Sequence, residues 1–260
     1  MKFADAEEEY ETARYVIFGI PHEDEEMSFR NGTSKAPYEI RNVSHNYESY
    51  HFQKKMDLSL AGMHDAGNFS VREAGEFLRN AVKEGKMPIV MGGAHSITPF
   101  LVSSMEGDFG VIILDAHMDF RSTYLGSPQS HACTARRIFE EVGKKRVMSI
   151  GVRSASKEEV EEAKNLGFVY YDASYLKKMD DMPFEKIYLS IDMDIFDPSL
   201  APGVSNPEPF GAGYEIFDFV RKIAKRTVAM DVVEVCPPYD DGRTSLLAAA
   251  LIREMVAYRK

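Results

Sequence analysis

Val111-Ile112-Ile113-Leu114-Asp115-Ala116-His117-Met118-Asp119 joins an unbroken apolar run to three polar side chains spaced two apart. Ile187-Tyr188-Leu189-Ser190-Ile191-Asp192-Met193-Asp194 repeats the pattern further along. Short apolar runs without polar alternation suit strands covered on both faces, as in a parallel sheet. Residues 15–20 (YVIFGI), 87–91 (MPIVM), 147–150 (VMSI), 168–171 and 228–233 read as further strands. Between them lie helical stretches at 37–50 and 70–84, then near 133–142, 157–165, 213–225 and 245–258. In the second of these, Val71, Ala74, Phe77, Leu78 and Ala81 recur at close to the helical period. Strands alternating with helices predict βαβ units, hence an α/β fold with a mostly parallel sheet.

Such sheets bind ligands beyond the carboxyl ends of their strands. Gly92-Gly93-Ala94-His95 follows one strand, and the Asp115 and Asp192 motifs follow two others. Asp231-Val232-Val233-Glu234 lies at the end of the last. All these polar clusters are expected at one edge of the sheet.

The bulk numbers exclude several classes. The chain has 260 residues, 44% apolar and 28% charged, with no internal repeat or linker, and is expected to form one domain over 1–260. The formal charge of -10 comes without a basic patch, which argues against a nucleic-acid partner. No apolar run approaches the ~18 residues of a membrane span, and the first residues lack the apolar core of a signal peptide. Only Cys133 and Cys236 are present, read as free thiols. A cytoplasmic protein is expected.

Asp115-X-His117-X-Asp119 and Asp192-X-Asp194 carry the chemistry. A spacing of two puts side chains on one side of an extended segment. With His95 they make six potential metal ligands, two His and four Asp. Mixed carboxylate and imidazole donors suit Mn²⁺, Fe²⁺, Co²⁺ or Zn²⁺ better than Ca²⁺ or Mg²⁺ alone. Six ligands are too many for one catalytic ion with an open position. They suit two ions roughly 3.5–4 Å apart sharing carboxylates, with a hydroxide between them. Acids placed directly after apolar strands need such compensation, because an unpaired buried charge costs several kcal/mol. Two divalent ions would balance the four Asp.

GGAHS (92–96), DAHMD (115–119) and SIDMDIFDP (190–198) resemble the three signatures of the ureohydrolase family, which contains arginases, agmatinases and formimidoylglutamases. Gly19-Ile20-Pro21, Phe29-Arg30-Asn31-Gly32-Thr33, Ala36-Pro37 and Ile40-Arg41 resemble its N-terminal segment. Asp231-Val232-Val233-Glu234-Val235, then Pro237-Pro238-Tyr239-Asp240 and Thr244, resemble its C-terminal one. The likeness runs from about residue 14 to 257. It implies a three-layer, arginase-like α/β/α fold with about eight strands and a binuclear manganese centre, with Co²⁺, Ni²⁺ or Fe²⁺ as other occupants. It implies that His95 and Asp119 hold one ion and His117 and Asp194 the other, with Asp115 and Asp192 bridging. It also implies a homo-oligomer, trimer or hexamer.

The expected reaction is hydrolysis of a small guanidino substrate by attack of the bridging hydroxide. The leaving amine needs a proton. His131, in a loop 124–131 that resembles the agmatinase type, is the expected shuttle. Glu234 is expected to accept paired N–H bonds from the guanidinium. Arg121 stands where arginases carry an Asn, which points away from arginine, and residues 119–126 (DFRSTYLG) resemble archaeal-type agmatinases, which implies agmatine as substrate, giving urea and putrescine as in polyamine biosynthesis. An Arg121 turned into the pocket would instead suit a carboxylate-ended substrate such as guanidinobutyrate or formiminoglutamate. A non-catalytic metal-binding relative is the alternative of another class. Ala94 departs from the family pattern, which has an acid there, and removes no ligand. Gly92 and Gly93 are expected to allow a tight turn, and Pro237-Pro238 to end the strand. His22, His45, His51 and His64 are expected to be structural or at the surface.

Overall fold

The computed structural model describes residues 1–24, 27–177 and 183–259. Its strands are β1 (Tyr15–Gly19), β2 (Tyr50–His51), β3 (Met56–Asp57), β4 (Met63–Asn68), β5 (Met87–Met91), β6 (Gly110–Leu114), β7 (Val147–Ile150), β8 (Val169–Tyr171), β9 (Ile187–Asp192) and β10 (Thr227–Val233). Its helices are α1 (Ala36–Ser44), α2 (Val71–Lys83), α3 (Thr98–Ser104), α4 (Thr134–Val142), α5 (Lys157–Leu166), α6 (Glu215–Ile223) and α7 (Arg243–Arg259). Among the described residues, eight strands form one sheet in the order β4-β1-β5-β10-β9-β6-β7-β8. Every pairing in it is parallel. The short β2 and β3 pair antiparallel outside it.

The apolar runs split by the period of two. In β6, Ile112 and Leu114 face one cluster while Val111 and Ile113 face the other. The first cluster is covered by α1, α6 and α7, the second by α2, α3, α4 and α5. This is the three-layer arrangement expected of buried parallel strands. Among the described residues no helix is long and apolar enough to cross a membrane.

Three local readings need correction. β4 (MHDAGN) is a strand although its sequence is polar. It sits at the sheet edge, where only alternate side chains are covered. Buried Asp65 takes the Arg41 guanidinium in a fork, 2.7 Å from Nε and 2.8 Å from Nη2, which ties the edge to α1. α1 stops at Ser44 rather than running to residue 50, because the Ser44 hydroxyl bonds back to the Arg41 carbonyl at 2.7 Å and accepts the Ala4 N–H. α3 has too few residues to show a periodic stripe. The 70–84 reading fits closely, since Ser70 and Glu73 close a reciprocal capping box that starts α2.

Candidate metal centre and active site

Four neighbouring strands in the middle of the sheet, β5, β10, β9 and β6, deliver the polar side chains. Where β6 ends, Asp115 Oδ1 accepts the N–H of His117 at 2.6 Å. Where β9 ends, Asp192 Oδ1 accepts the N–H of Asp194 at 2.9 Å. Each Asp-X-X step is thus a turn in which the first carboxylate bonds its own backbone. The two turns are latched, because Asp194 Oδ1 accepts the Ala116 N–H at 3.0 Å. The other oxygen of each pair is left to face the neighbouring histidines.

His95 opens a single 3-10 turn after β5 and is fully buried. Its Nδ1 lies 3.2 Å from Asp115 Oδ2, 3.2 Å from Asp192 Oδ2 and 3.6 Å from Asp119 Oδ2. His117 Nδ1 lies 2.8 Å from Asp194 Oδ2 and 3.7 Å from Asp115 Oδ1. Two clusters of metal-type ligands result, His95/Asp115/Asp119 and Asp115/His117/Asp194, which share Asp115. Among the described residues these clusters hold five of the six residues singled out in the sequence, and Asp192 joins them through its 3.2 Å approach to His95 Nδ1.

The donor atoms fit a cation. His95 Nδ1 and Asp115 Oδ2 are buried without a hydrogen-bond partner. Orphaned buried polar atoms are costly unless a ligand completes them. The tautomer also fits. Ser190 Oγ donates to Asp231 Oδ1 at 2.6 Å, so it must accept from His95 Nε2 at 3.0 Å. That leaves the Nδ1 lone pair free to coordinate. On the other ring, His117 Nε2 lies 3.8 Å from Glu208.

Electrostatics point the same way. Burial, then the charges of Asp119 and Asp194, push Asp115 up to about 8. Burial, then Asp194 and Asp115, push Asp192 well above the usual carboxylate range. Burial disfavours charge on His117, yet Asp194, Asp115 and Asp119 outweigh it and raise the ring to about 11. These shifts all reflect a surplus of buried negative charge, which a bound cation would offset.

His117, Asp119 and His131 line a cavity of about 360 Å³ with Arg121, Tyr124 and Glu159. His131 precedes α4 and is positioned by Asp24, whose Oδ2 accepts its backbone N–H at 2.8 Å. Burial opposes its protonation, but the Asp24 bond and the charges of Glu234 and Asp119 raise it to about 9. Asp24 is held ionised despite burial by His131, His22 and the Ser96 hydroxyl.

Glu234 is buried at φ 64, a backbone region unusual for such a side chain and typical of functional sites. Its Oε1 accepts the His95 N–H at 2.6 Å, and its Oε2 accepts the Ser205 hydroxyl. It is not among the residues lining the cavity. Arg121 does line it, paired with Glu159 at 3.2 Å.

Gly93 is present for crowding rather than for a left-handed turn. A Cβ there would sit 1.9 Å from the His22 carbonyl oxygen. His45, His51 and His64 bond to Lys2, Glu254 and Glu8, away from the site, whereas His22 pairs with Asp24. The sequence reading missed Asp24, Ser190, Ser205 and Glu159. Ser190 carried a usable signal, a polar residue inside a run covered on both faces. Asp24 sits in an acidic stretch that resembles any solvated turn.

The profile of the Arginase family matches residues 13–257. An agmatine ureohydrolase of Thermoplasma volcanium superposes with a TM-score of 0.93 at 36% identity, covering 99% of this chain and 94% of that one. The agmatinase of Pyrococcus horikoshii is 34% identical over 92% of this chain and 90% of its own length. The N(1)-aminopropylagmatine ureohydrolase of Thermococcus kodakarensis is 31% identical over 94% and 90% respectively. Fold, metal-ligand cluster and near full-length likeness agree, and the chain belongs to the arginase family of binuclear-metal ureohydrolases.

Proposed function

We propose that this enzyme hydrolyses agmatine to urea and putrescine with two Mn²⁺ ions. The observation that carries the reading is the meeting of two ligand clusters at Asp115, beside a cavity lined by His117, Asp119 and His131. The agmatine-named relatives support the choice of substrate.

His95, Asp119 and the shared Asp115 and Asp192 would hold one ion, and His117 and Asp194 would complete the other. When bound, the ions supply a water acidic enough to lose its proton near neutral pH. The remaining work falls to the chain's own side chains. His131 stays protonated at neutral pH and carries the proton that the departing amine nitrogen needs. Asp24 holds its Nδ1 side, which leaves Nε2 as the exchangeable position. Glu234 lies behind the cavity wall, so to receive the guanidinium it would have to use the lone pairs that His95 and Ser205 leave on its two oxygens. The same reading carries a homo-oligomer in the cytoplasm, with Cys133 and Cys236 as buried free thiols.

The test is urea release from agmatine, N(1)-aminopropylagmatine, arginine and 4-guanidinobutyrate, with formamide release from formiminoglutamate, using Mn²⁺-loaded and chelator-treated protein. Agmatine turnover lost on chelation is expected. Turnover of another guanidine alone would reassign the substrate. No turnover of any, with metal bound, would favour a non-catalytic relative.

A further inference from the structure

We propose that Glu159 sets the substrate class of this site: by holding Arg121, it makes the far wall of the cavity admit guanidines with a cationic or neutral tail and turn away those ending in a carboxylate. The inference rests on the ureohydrolase reading above. Arg121 alone would suggest the opposite. A guanidinium on the wall of a polar cavity is a good receiver for a carboxylate.

Arg121 is not free to act as one. Its Nη2 lies 3.2 Å from Glu159 Oε2, and its guanidinium lies 5.4 Å from the centre of the Tyr124 ring. The two partners differ in freedom. The Arg121 side chain is 39% exposed, whereas that of Glu159 is 7% exposed. Glu159 is also anchored twice by backbone. Its Oε1 accepts the Phe120 N–H at 3.2 Å, and its Oε2 accepts the Ser156 N–H at 2.9 Å. The second bond is half of the capping box that starts α5. The carboxylate is therefore fixed in the cavity wall, and the cation is drawn onto it.

The consequence is a net-neutral wall with an immobile acid in it. A carboxylate tail would have to displace a preorganised competitor and would then face its charge. An ammonium tail meets Glu159 with favourable sign. Selectivity arises from the repulsive element as much as from attraction.

Glu159→Gln separates this role from helix capping, since Gln also serves at that position of a capping box. The measurement is kcat/KM for 4-guanidinobutyrate and for agmatine, read as urea, in wild type, Glu159→Gln, Arg121→Gln and the double variant. Glu159→Gln is expected to raise the guanidinobutyrate-to-agmatine ratio about tenfold, and the double variant to lose that gain. Arg121→Gln, which bares Glu159, is expected to lower the ratio. An unmoved ratio in Glu159→Gln, or a gain that survives in the double variant, overturns the proposal. If Glu159→Gln fails to fold, Arg121→Gln decides alone, and a ratio that stays or rises overturns it. Urea from no guanidine in wild type overturns the ureohydrolase reading and this inference with it; urea with an unmoved ratio overturns the inference alone.

Discussion

Asp24 Oδ2 accepts the backbone N–H of His131 at 2.8 Å and lies 3.3 Å from the Nδ1 of the same residue. One carboxylate thus sets both where the imidazole stands and which nitrogen is free. Its other oxygen takes the Ser96 hydroxyl at 2.6 Å, so Asp24 is itself held.

Replacing this carboxylate tests the shuttle. His131→Ala is expected to lower kcat about 10²–10⁴-fold with both metals retained. Asp24→Asn keeps an acceptor but removes the charge. The folded-state value of His131, about 9, lies above its ordinary 6.5, so the stability this contact adds is full below 6.5 and fades as pH rises toward 9. The alkaline fall of kcat in wild type should follow the same ionisation. In Asp24→Asn that limb should move to lower pH, with KM for agmatine nearly unchanged. A pH–rate profile identical to wild type would remove Asp24 from this role.

Ser190 links His95 to Asp231, and Tyr188 and Thr98 complete the Asp231 shell at 2.6 and 3.0 Å. Ser190→Ala leaves His95 Nε2 without that acceptor and frees the ring to turn. Mn²⁺ affinity should fall about 10–100-fold, measured by calorimetric titration of chelator-treated protein. Affinity equal to wild type would mean that the ring is oriented by packing alone.

The metal-free protein should be sensitive to alkali. Asp115 moves from 3.8 to about 8 on folding, so its contribution is present below 3.8 and is lost as pH rises toward 8. His117, raised to about 11, acts in the same direction over its own range, from 6.5 upward. Thermal melts of chelated protein should therefore weaken between pH 5 and 8, and added Mn²⁺ should stabilise more at pH 8 than at pH 5. Asp115→Asn should raise the metal-free midpoint at pH 8 by roughly 3–6 °C while abolishing turnover. A midpoint that falls instead would show that burial strain at Asp115 is small.

Gly93→Ala should be costly although the site gains only a methyl group. The His22 carbonyl that the Cβ would meet accepts the Ala94 N–H at 3.1 Å and the Thr33 hydroxyl at 3.2 Å, so it cannot yield cheaply. Destabilisation of about 3 kcal/mol is expected, read by denaturant unfolding. A change within about 0.5 kcal/mol would show that the His22 segment shifts freely.

Much of this protein is written in local pattern. Runs such as VIIL and IYLSI suit strands covered on both faces, and acids placed directly after them call for a compensating charge. From those two facts follow the parallel sheet, the edge that carries the site and the six candidate ligand residues, because each depends on side-chain period and on residues near in sequence. Edge strand β4 and the short helix α3 escaped, one because half its side chains face water, the other because it is shorter than the pattern that would reveal it. The tertiary structure alone decided who supports whom. Asp24 reaches His131 across 107 positions, Ser205 reaches Glu234 across 29, and Glu159 reaches the Phe120 N–H across 39. No periodicity encodes such pairings. They come into being only when strand order brings distant loops to one edge and burial makes each polar atom find a partner.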